Sequence, residues 1–285
     1  MKTFNETLHN GFQACYEVSE IYFHSKTGHQ ELIIFSNPLY GRIMALDGVI
    51  QTTEKDEFIY HEMFAHVPLL SHPNPKKVLI VGGGDGGLLR EVCKYSCIES
   101  ITMVEIDESV VEISKQYLPK HSQGSFNDKR LNLVIADGLE FVRSTNERFD
   151  VILSDSTDPI GPGEALFAEN FYECCAKILN ESGILVTQNG VSFLQTEELV
   201  TTKARMQEHF KEVKFYQADV PTYVAGNMNY AWASKNVEIC IDKARKRLQE
   251  FGIETNYFTP ELYQSAFNLP KYIQQAIEEN KIESI

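Results

Sequence analysis

The sequence predicts an α/β protein in which a small all-β domain precedes a larger domain built on a parallel sheet covered by helices. The first fifty residues are rich in β-forming residues that lie between turn signals. From Lys77 onward, short apolar strands alternate with helical segments. The first of those strands ends in the glycine-rich loop GGGDGG, which is typical of a ligand-binding turn. We expect residues 1–52 to form the small domain and residues 53–285 the larger one.

The small domain is indicated by two segments of β-forming residues, Glu31–Phe35 (ELIIF) and Gly41–Leu46 (GRIMAL). A turn signal, Asp47-Gly48, follows the second of them. A helix is then predicted to begin at Thr53, because Asp56 follows three residues later and apolar residues recur behind it at helical spacing. This helix would connect the two domains.

The larger domain is indicated by the regular alternation of strand and helix, which predicts a parallel sheet. The segments KFYQADV and YAWAS, further along the chain, predict antiparallel strands added to that sheet. In an open sheet of this kind, ligands bind at the carboxyl ends of the strands. The strands are predicted at 78–81, 101–106, 133–135, 151–154 and 184–188, and the helices from residue 87, at 108–117 and at 169–179.

Composition narrows the class of ligand. The chain has 285 residues with 43% hydrophobic and 23% charged content, which is typical of a globular protein. Its net charge of −14 disfavours nucleic acid and anionic membrane surfaces as partners and is compatible with cationic ligands. A general contribution of acidic residues to solubility is the alternative explanation of this charge.

Cysteine spacing and the N-terminal segment indicate the compartment. The six cysteines form no CxxC pair and no zinc-type spacing, so neither a metal site nor a disulfide framework is predicted. The N-terminal segment has no basic region followed by an apolar run, and no stretch approaches the roughly 18 apolar residues of a membrane helix. We therefore expect a cytoplasmic protein with no membrane partner.

The loop GGGDGG permits two interpretations. Gly82, Gly84 and Gly87 satisfy the pattern GxGxxG, and Glu105 ends the next strand, so a dinucleotide site is one of them. Asp85 argues against it, because a carboxylate inside the loop would repel a pyrophosphate. A ligand of the S-adenosylmethionine type fits better, with its ribose on Glu105 and its positive charges near Asp85. A glycine-rich turn with a solvated aspartate is the structural alternative.

Two later strand ends carry further acids. Asp137 and Gly138 follow one strand, where they would either read the edge of an adenine or form a simple turn. Asp155 and Asp158 follow the next strand. Two carboxylates at one strand end are costly unless a cation joins them, although one of them could cap a turn while the other is exposed.

These acids are predicted to meet at one rim of the sheet. No lysine or arginine accompanies them in the strand-end loops, and no His or Cys pattern favours a metal ion. A site with charge of one sign requires positive ligands. An organic amine is therefore the predicted ligand.

At this point the motifs resemble a known family. The chain is similar over nearly its whole length to the spermidine synthases, or polyamine aminopropyltransferases, and most similar to the bacterial type, which has His in the segment YHEM. The motifs that carry the resemblance are LDGVIQTTEKDEFIYHEM (46–63), VLIVGGGDGG (78–87), MVEID (103–107), ADG (136–138), SDSTDPIGPGEALF (154–167) and PTY (221–223).

The resemblance implies a Rossmann-like parallel sheet of the S-adenosylmethionine-methyltransferase type. It implies transfer of the aminopropyl group from decarboxylated S-adenosylmethionine to putrescine, which gives spermidine and 5'-methylthioadenosine. The donor is a co-substrate, so no cofactor is implied. The small β domain would pair with a second subunit to form a homodimer.

Site residues are carried over from the family by position. Asp155 would be catalytic, as the proton acceptor. The residues implied for the nucleoside donor are Gln30, Gln51, Glu105, Asp137, Gly138 and Pro162. The residues implied for the amine are Tyr60, His61, Asp85, Asp155, Ser156, Thr157, Asp158 and Tyr223.

Charge also indicates the donor and the proton path. Asp85 would repel the carboxylate of ordinary S-adenosylmethionine but not the ammonium of the decarboxylated form. An alkylammonium has a pKa near ~10.4 and an aspartate one near ~3.9, so Asp155 is a weak base for a resting ammonium. We expect the amine to enter neutral or to lose its proton through Asp155, Tyr60 or water. Asp158 would hold the distal ammonium.

Several alternatives share parts of this pattern. A putrescine N-methyltransferase would use the same acidic site but would need room for a donor carboxylate near Asp85. A polyamine-binding protein without turnover would have no use for Glu105 and Asp137, and Asp85 argues against an NAD-dependent oxidoreductase. Residues 189–191, after the last predicted parallel strand, contain no acid for a further ammonium, which favours a diamine acceptor. Cadaverine and 1,3-diaminopropane remain possible acceptors.

Overall fold

The N-terminal residues form antiparallel strands, since segments rich in β-forming residues lie between turn-forming residues. The computed structural model, which describes residues 2–159, 161–224 and 226–279, places these strands in a two-stranded and a four-stranded sheet. Asp47 and Gly48 both have positive φ angles and join two of the strands, as the turn signal predicts. The strands are β1 Lys2–Glu6, β2 Ala14–Val18, β3 Glu20–Lys26, β4 Glu31–Asn37, β5 Gly41–Leu46 and β6 Val49–Thr53.

The rest of the described chain alternates strand and helix. The strands are β7 Lys77–Gly82, β8 Ser100–Glu105, β9 Leu131–Ile135, β10 Phe149–Asp155, β11 Leu179–Val191, β12 Glu212–Ala218 and β13 Met228–Ser234. The helices are α1 Glu57–Ser71, α2 Gly87–Cys93, α3 Glu108–Tyr117, α4 Pro119–Ser122, α5 Gly138–Ser144, α6 Glu169–Ile178, α7 Thr196–Met206, α8 Ile241–Phe251, α9 Pro260–Ser265 and α10 Lys271–Glu279. Two short 3-10 helices lie at Ser125–Asn127 and Gly161–Phe167.

Seven strands form the central sheet in the order β12-β13-β11-β10-β7-β8-β9. Strands β7 to β11 run parallel, and β12 and β13 are added antiparallel at one edge. This confirms the predicted Rossmann-like sheet, including its antiparallel addition. The chain runs outward from β7 to β9 and then returns to place β10 on the other side of β7. The resulting crevice at the carboxyl ends of β7 and β10 is where ligands of such sheets bind.

Apolar residues cover both faces of the sheet. Strand β7 is buried from Val78 to Val81, as expected for a central parallel strand. One face packs on a core with α1 and α2, which contains Tyr95 and Trp232, and the other on a core with α6 that contains Phe171. These two cores fix the sheet and therefore the positions of its strand ends. No helix in the described ranges is long and apolar enough to cross a membrane.

The start of α1 differs from the prediction. The helix begins at Glu57 rather than Thr53, because Thr53 is the last residue of β6 and pairs with Ile43. The Thr53 hydroxyl donates to Asp56 Oδ1 at 2.6 Å, and Asp56 Oδ2 accepts the backbone N–H of Thr222 at 2.8 Å. Asp56 therefore ties α1 to a distant loop instead of capping the helix. The division into domains at residue 53 stays a prediction.

Candidate active site

The pairing of β7 with β10 places the glycine-rich loop next to the acidic end of β10. Gly82 pairs with Asp155 across β7 and β10, and the Gly83 N–H donates to the Asp155 carbonyl oxygen at 3.0 Å. A Cβ atom on Gly82 would lie 2.0 Å from that oxygen, and the φ angle of Gly82 is +83°. Only glycine fits here. The loop is thereby held against the acidic segment that follows β10.

One cavity at these strand ends brings the predicted residues together. Every predicted site residue whose side chain is described lines it, whereas the Pro162 side chain lies outside the described part. Their individual roles stay predictions. The residues are Gln30, Gln51, Tyr60, His61, Asp85, Glu105, Asp137, Gly138, Asp155, Ser156, Thr157, Asp158 and Tyr223.

The cavity is acidic. Among the described residues that line it, there is no lysine or arginine. The described part of the chain contains no group of three His, Cys, Asp or Glu side chains arranged to hold a metal ion. The lining carboxylates are Glu6, Asp85, Glu105, Asp137, Asp155 and Asp158. This distribution of charge favours a ligand with several positive charges.

Asp85 and His61 face each other across the cavity wall. Asp85 Oδ1 accepts the Gly87 N–H at 2.8 Å, which leaves Oδ2 at 3.5 Å from His61 Nε2. On its other side, His61 Nδ1 lies 2.6 Å from Glu57 Oε2. The pKa of His61 is lowered by burial, but Asp85, Glu57 and Asp155 outweigh burial and raise it to about 9. His61 is therefore an imidazolium at neutral pH.

A buried ion pair behind His61 supports this charge. Arg90 donates from Nη1 to Glu57 Oε1 at 2.8 Å and from Nη2 to Glu57 Oε2 at 3.0 Å. Burial alone would raise the pKa of Glu57, yet its bonds to His61 and Arg90 lower it to about 2. Glu57 thus stays ionised and holds His61 in position. The strand-end motifs did not indicate Glu57 and Arg90, and neither was given a role, although Glu57 lies within the motif at 46–63.

Asp155 lies next to Tyr60. The Tyr60 hydroxyl donates to Asp155 Oδ1 at 2.7 Å. Burial and the neighbouring Asp85 raise the pKa of Asp155 to about 6, against the opposing effects of His61 and the Tyr60 hydrogen bond. Tyr223 packs edge-on against the Tyr60 ring, and its hydroxyl donates to the Gln51 carbonyl oxygen at 2.6 Å. Asp155 is therefore a better proton acceptor than an ordinary aspartate.

Glu105 marks the other end of the cavity. Glu105 Oε1 accepts the Asp107 N–H at 3.0 Å, and Gln30 Nε2 donates to Asp107 Oδ2 at 3.3 Å. Burial raises the pKa of Glu105 to about 7, although backbone hydrogen bonds oppose the rise. Asp137 caps α5 by accepting the Glu140 N–H at 2.9 Å. One carboxylate oxygen of Asp137 is therefore used to cap the helix.

Asp158 lies at the far end of the cavity, among residues that the strand-end motifs did not indicate. Gln195 Nε2 donates to Asp158 Oδ1 at 2.8 Å and to Glu198 Oε1 at 2.7 Å. Glu6, from the N-terminal hairpin, lines the same end and accepts the Ile50 N–H at 2.8 Å. No recognised helix-start motif marks Gln195 and Glu198, because a capping box has Ser or Thr, not Gln, at the N-cap position. No motif marks Glu6.

Comparisons with family models agree with this geometry. Residues 57–243 match the model described as "Spermine/spermidine synthase domain". Residues 3–54 match the model described as "Spermidine synthase tetramerisation domain". Together the two models span most of the chain.

Comparisons with curated proteins and solved structures give the same family. The polyamine aminopropyltransferase of Pectobacterium carotovorum is 55% identical over 276 residues, which is 96% of each chain. Polyamine aminopropyltransferase 1 of Pseudomonas aeruginosa is 55% identical over 97% of this chain and 98% of its own. A crystal structure of spermidine synthase in complex with the transition-state analogue AdoDATO has a TM-score of 0.94 and 38% identity, and covers 98% of this chain and 95% of its own.

The spermidine synthase from Thermotoga maritima is also similar, with a TM-score of 0.91 and 36% identity over 97% of this chain and 94% of its own. The sheet, the acidic cavity and these matches, which cover nearly the whole chain, indicate the same family. The chain belongs to the spermidine synthase family, and it is an aminopropyltransferase.

Proposed function

We propose that this aminopropyltransferase uses decarboxylated S-adenosylmethionine as donor and putrescine as acceptor, and produces spermidine and 5'-methylthioadenosine. The observation that carries the proposal is the cavity that Asp85, Asp155 and Asp158 line and in which no described lysine or arginine balances them. A donor with a sulfonium and an ammonium suits that charge, as does a diamine. The donor is consumed, so the reaction needs no resident cofactor.

The donor would lie along the crevice from Glu105 to Asp85. Glu105 and Gln30 supply polar groups for the ribose, and Asp137 and Gly138 lie where an adenine edge would come. Gln51 and Pro162 complete the donor residues carried over from the family. The aminopropyl tail then points toward Asp85, whose charge accepts an ammonium and repels a carboxylate. This is the basis for selecting the decarboxylated donor.

The acceptor would extend from Asp155 to Asp158. Tyr60, Tyr223 and His61 form the walls between these carboxylates, and Ser156 and Thr157 lie in the segment that joins them. One amine would lie at Asp155, close to the donor, and the other would be held by Asp158 as an ammonium. The charge on His61 keeps this part of the cavity from becoming too strongly negative for Asp155 to ionise.

In the chemical step, the nitrogen lone pair forms a bond to the aminopropyl carbon attached to sulfur. The carbon–sulfur bond breaks, its electron pair passes to sulfur, and the neutral thioether leaves as 5'-methylthioadenosine. The nitrogen loses one proton, which Asp155 accepts. A pKa of about 6 instead of 3.8 reduces the mismatch with an alkylammonium by about 3 kcal/mol. Burial thus makes proton transfer to Asp155 less unfavourable.

The mode of assembly and the compartment are also proposals. The match of residues 3–54 to a tetramerisation domain supports self-association through the N-terminal sheets, with a dimer as the smallest assembly. We expect a cytoplasmic enzyme, as its acidic composition and small charged substrates suggest. Light scattering after size-exclusion chromatography would measure the number of subunits.

A product assay tests the reaction. Purified protein would be incubated with decarboxylated S-adenosylmethionine and one amine in each reaction: putrescine, cadaverine or 1,3-diaminopropane. The products would be identified by mass spectrometry. We expect one 5'-methylthioadenosine for each spermidine, with putrescine as the best acceptor. Release of no 5'-methylthioadenosine with any of the three amines would overturn the proposal. Preference for another diamine would keep the reaction and change the acceptor.

A further inference from the structure

The Gln195 carboxamide closes the far end of the cavity with a complete set of hydrogen bonds. Its oxygen accepts the Val191 N–H at 2.7 Å. Its nitrogen donates to Asp158 Oδ1 at 2.8 Å and to Glu198 Oε1 at 2.7 Å. Since a backbone N–H fixes the oxygen, the two N–H groups must face the carboxylates. Gln195 is therefore a neutral bridge between two acids.

The backbone beside Gln195 is shaped around this side chain. Gly190 has a φ angle of +62°, and a Cβ atom there would lie 2.6 Å from the Gln195 carboxamide. The Gly190 N–H is held by Gln188 Oε1 at 3.0 Å, and Gln188 in turn donates to the Thr157 carbonyl oxygen at 3.1 Å. The bridge thus has a fixed place in the wall of the cavity.

The acids that Gln195 joins could bind a cation. Glu198 Oε2 is buried and has no hydrogen-bond partner among the residues that the structure describes. Burial raises the pKa of Glu198 to about 7, and Asp158 acts in the same direction. Glu6 adds another carboxylate near Asp158. An ammonium between Asp158 and Glu198 would be stabilised, but the carboxamide of Gln195 occupies that place.

We propose that Gln195 limits the acceptor to a diamine and thereby stops the reaction after one aminopropyl transfer. The inference rests on the proposed function. When the reacting nitrogen of a diamine lies at Asp155, its second nitrogen lies at Asp158 and the molecule ends there. A triamine carries a further nitrogen beyond that point, where it would have to displace the Gln195 carboxamide and break both of its bonds to carboxylates. Gln195 is thus a specificity-determining residue, and Glu198 is the acid that it keeps from the acceptor.

Kinetics of Gln195→Ala test the inference. We expect the ratio of kcat/KM for spermidine to that for putrescine to rise about tenfold, because a hydrogen bond to a charged group contributes about that factor. Adding Glu198→Gln to Gln195→Ala should reverse the gain, since the exposed acid is what would hold the extra ammonium. An unchanged ratio in Gln195→Ala would overturn the inference, as would a gain that survives in the double variant.

Gln217→Ala is the matched control. Gln217 is half-buried like Gln195 and also donates from Nε2 to two oxygens, those of Ser192 and Asn229, but it lies outside the cavity lining. Its removal should leave the acceptor ratio unchanged. A rise in the ratio as large as that of Gln195→Ala would contradict the assignment, because general loosening would then explain both.

Calorimetry separates this inference from the proposed reaction. The dissociation constants of spermidine and putrescine would be measured for the wild type and for Gln195→Ala without donor. A relative gain in spermidine affinity of about tenfold is expected. If the wild type transferred aminopropyl groups to neither amine, the proposed function would fail, and the inference would be decided by these affinities alone. Equal affinity ratios in the two proteins would overturn it.

Discussion

Asp155→Asn changes the proposed proton acceptor with little change in shape. Its Oδ1 atom can still accept the Tyr60 hydroxyl, which donates at 2.7 Å in the wild type. The Gly83 N–H bonds to the backbone oxygen of residue 155 and is unaffected. The substitution therefore removes one charge and one proton acceptor. It leaves the glycine loop and the acid Asp158 in place.

The kinetic effect should be large and should fall on kcat. A positioned general base contributes about 10²–10⁴-fold, so we expect kcat to fall at least about 100-fold at pH 7.5. In the wild type, kcat/KM should fall as pH drops through about 6, where Asp155 becomes protonated. That acidic limb should be absent in Asp155→Asn. Steady-state rates of 5'-methylthioadenosine release, followed by chromatography at varied putrescine concentration from about pH 5 to about pH 9, would measure both effects.

Asp155→Asn should lower activity but raise the free energy of unfolding. The pKa of Asp155 lies above its ordinary value of 3.8, so the ionised carboxylate destabilises the fold above pH 6 and has no such effect below about pH 4. Asp155→Asn should therefore raise the free energy of unfolding at pH 8 by up to about 3 kcal/mol. A loss of activity in a more stable protein cannot come from misfolding.

Tyr60→Phe is the matched control, because it keeps the carboxylate and removes the hydroxyl whose hydrogen bond lowers the pKa of Asp155. It should shift the acidic limb to higher pH with a smaller loss of kcat. A kcat of Asp155→Asn within severalfold of the wild type would refute the catalytic role and leave Asp155 as a binding residue.

Three further predictions test separate parts of the structure. Asp85→Asn should lower the preference for decarboxylated over ordinary S-adenosylmethionine about tenfold in kcat/KM, because the repulsion of the donor carboxylate is lost; an unchanged preference would contradict that role. Glu57→Gln should lower the pKa of His61 from about 9, since the ion pair at Nδ1 disappears, and an NMR titration that shows no decrease would contradict the electrostatic coupling. Gly82→Ala should cost more than about 2 kcal/mol in urea unfolding, because its Cβ would meet a backbone oxygen at 2.0 Å. Gly124→Ala, with φ +85° and open space, should cost only about 1 kcal/mol, and equal costs would refute the steric argument.

Much of the site could be predicted from the sequence, because it is built from strand ends. The pattern of apolar strands predicts a parallel sheet, and a parallel sheet brings its carboxyl ends to one edge. Asp85, Glu105 and Asp155 could therefore be placed together from the amino-acid sequence alone. Parallel register then explains why the loop after β7 contacts the segment after β10.

Other parts depend on tertiary contacts that leave no local pattern. Glu6 reaches the cavity from the N-terminal hairpin, more than a hundred residues before Asp158. The absence of an acid in residues 189–191 suggests that the far end of the cavity has no carboxylate beyond Asp158. Glu198 nevertheless lies near Asp158, because α7 folds back over the end of β11. The predicted start of α1 is wrong for a similar reason, since Thr53 pairs with Ile43 in the four-stranded sheet.

A competition between donors tests the central claim most directly, namely that an acidic cavity selects a donor without a carboxylate. Equal concentrations of decarboxylated and ordinary S-adenosylmethionine would be supplied with putrescine, and mass spectrometry would quantify spermidine and N-methylputrescine. The charge of Asp85 predicts spermidine with 5'-methylthioadenosine and no methylated product. A predominance of N-methylputrescine would contradict the account.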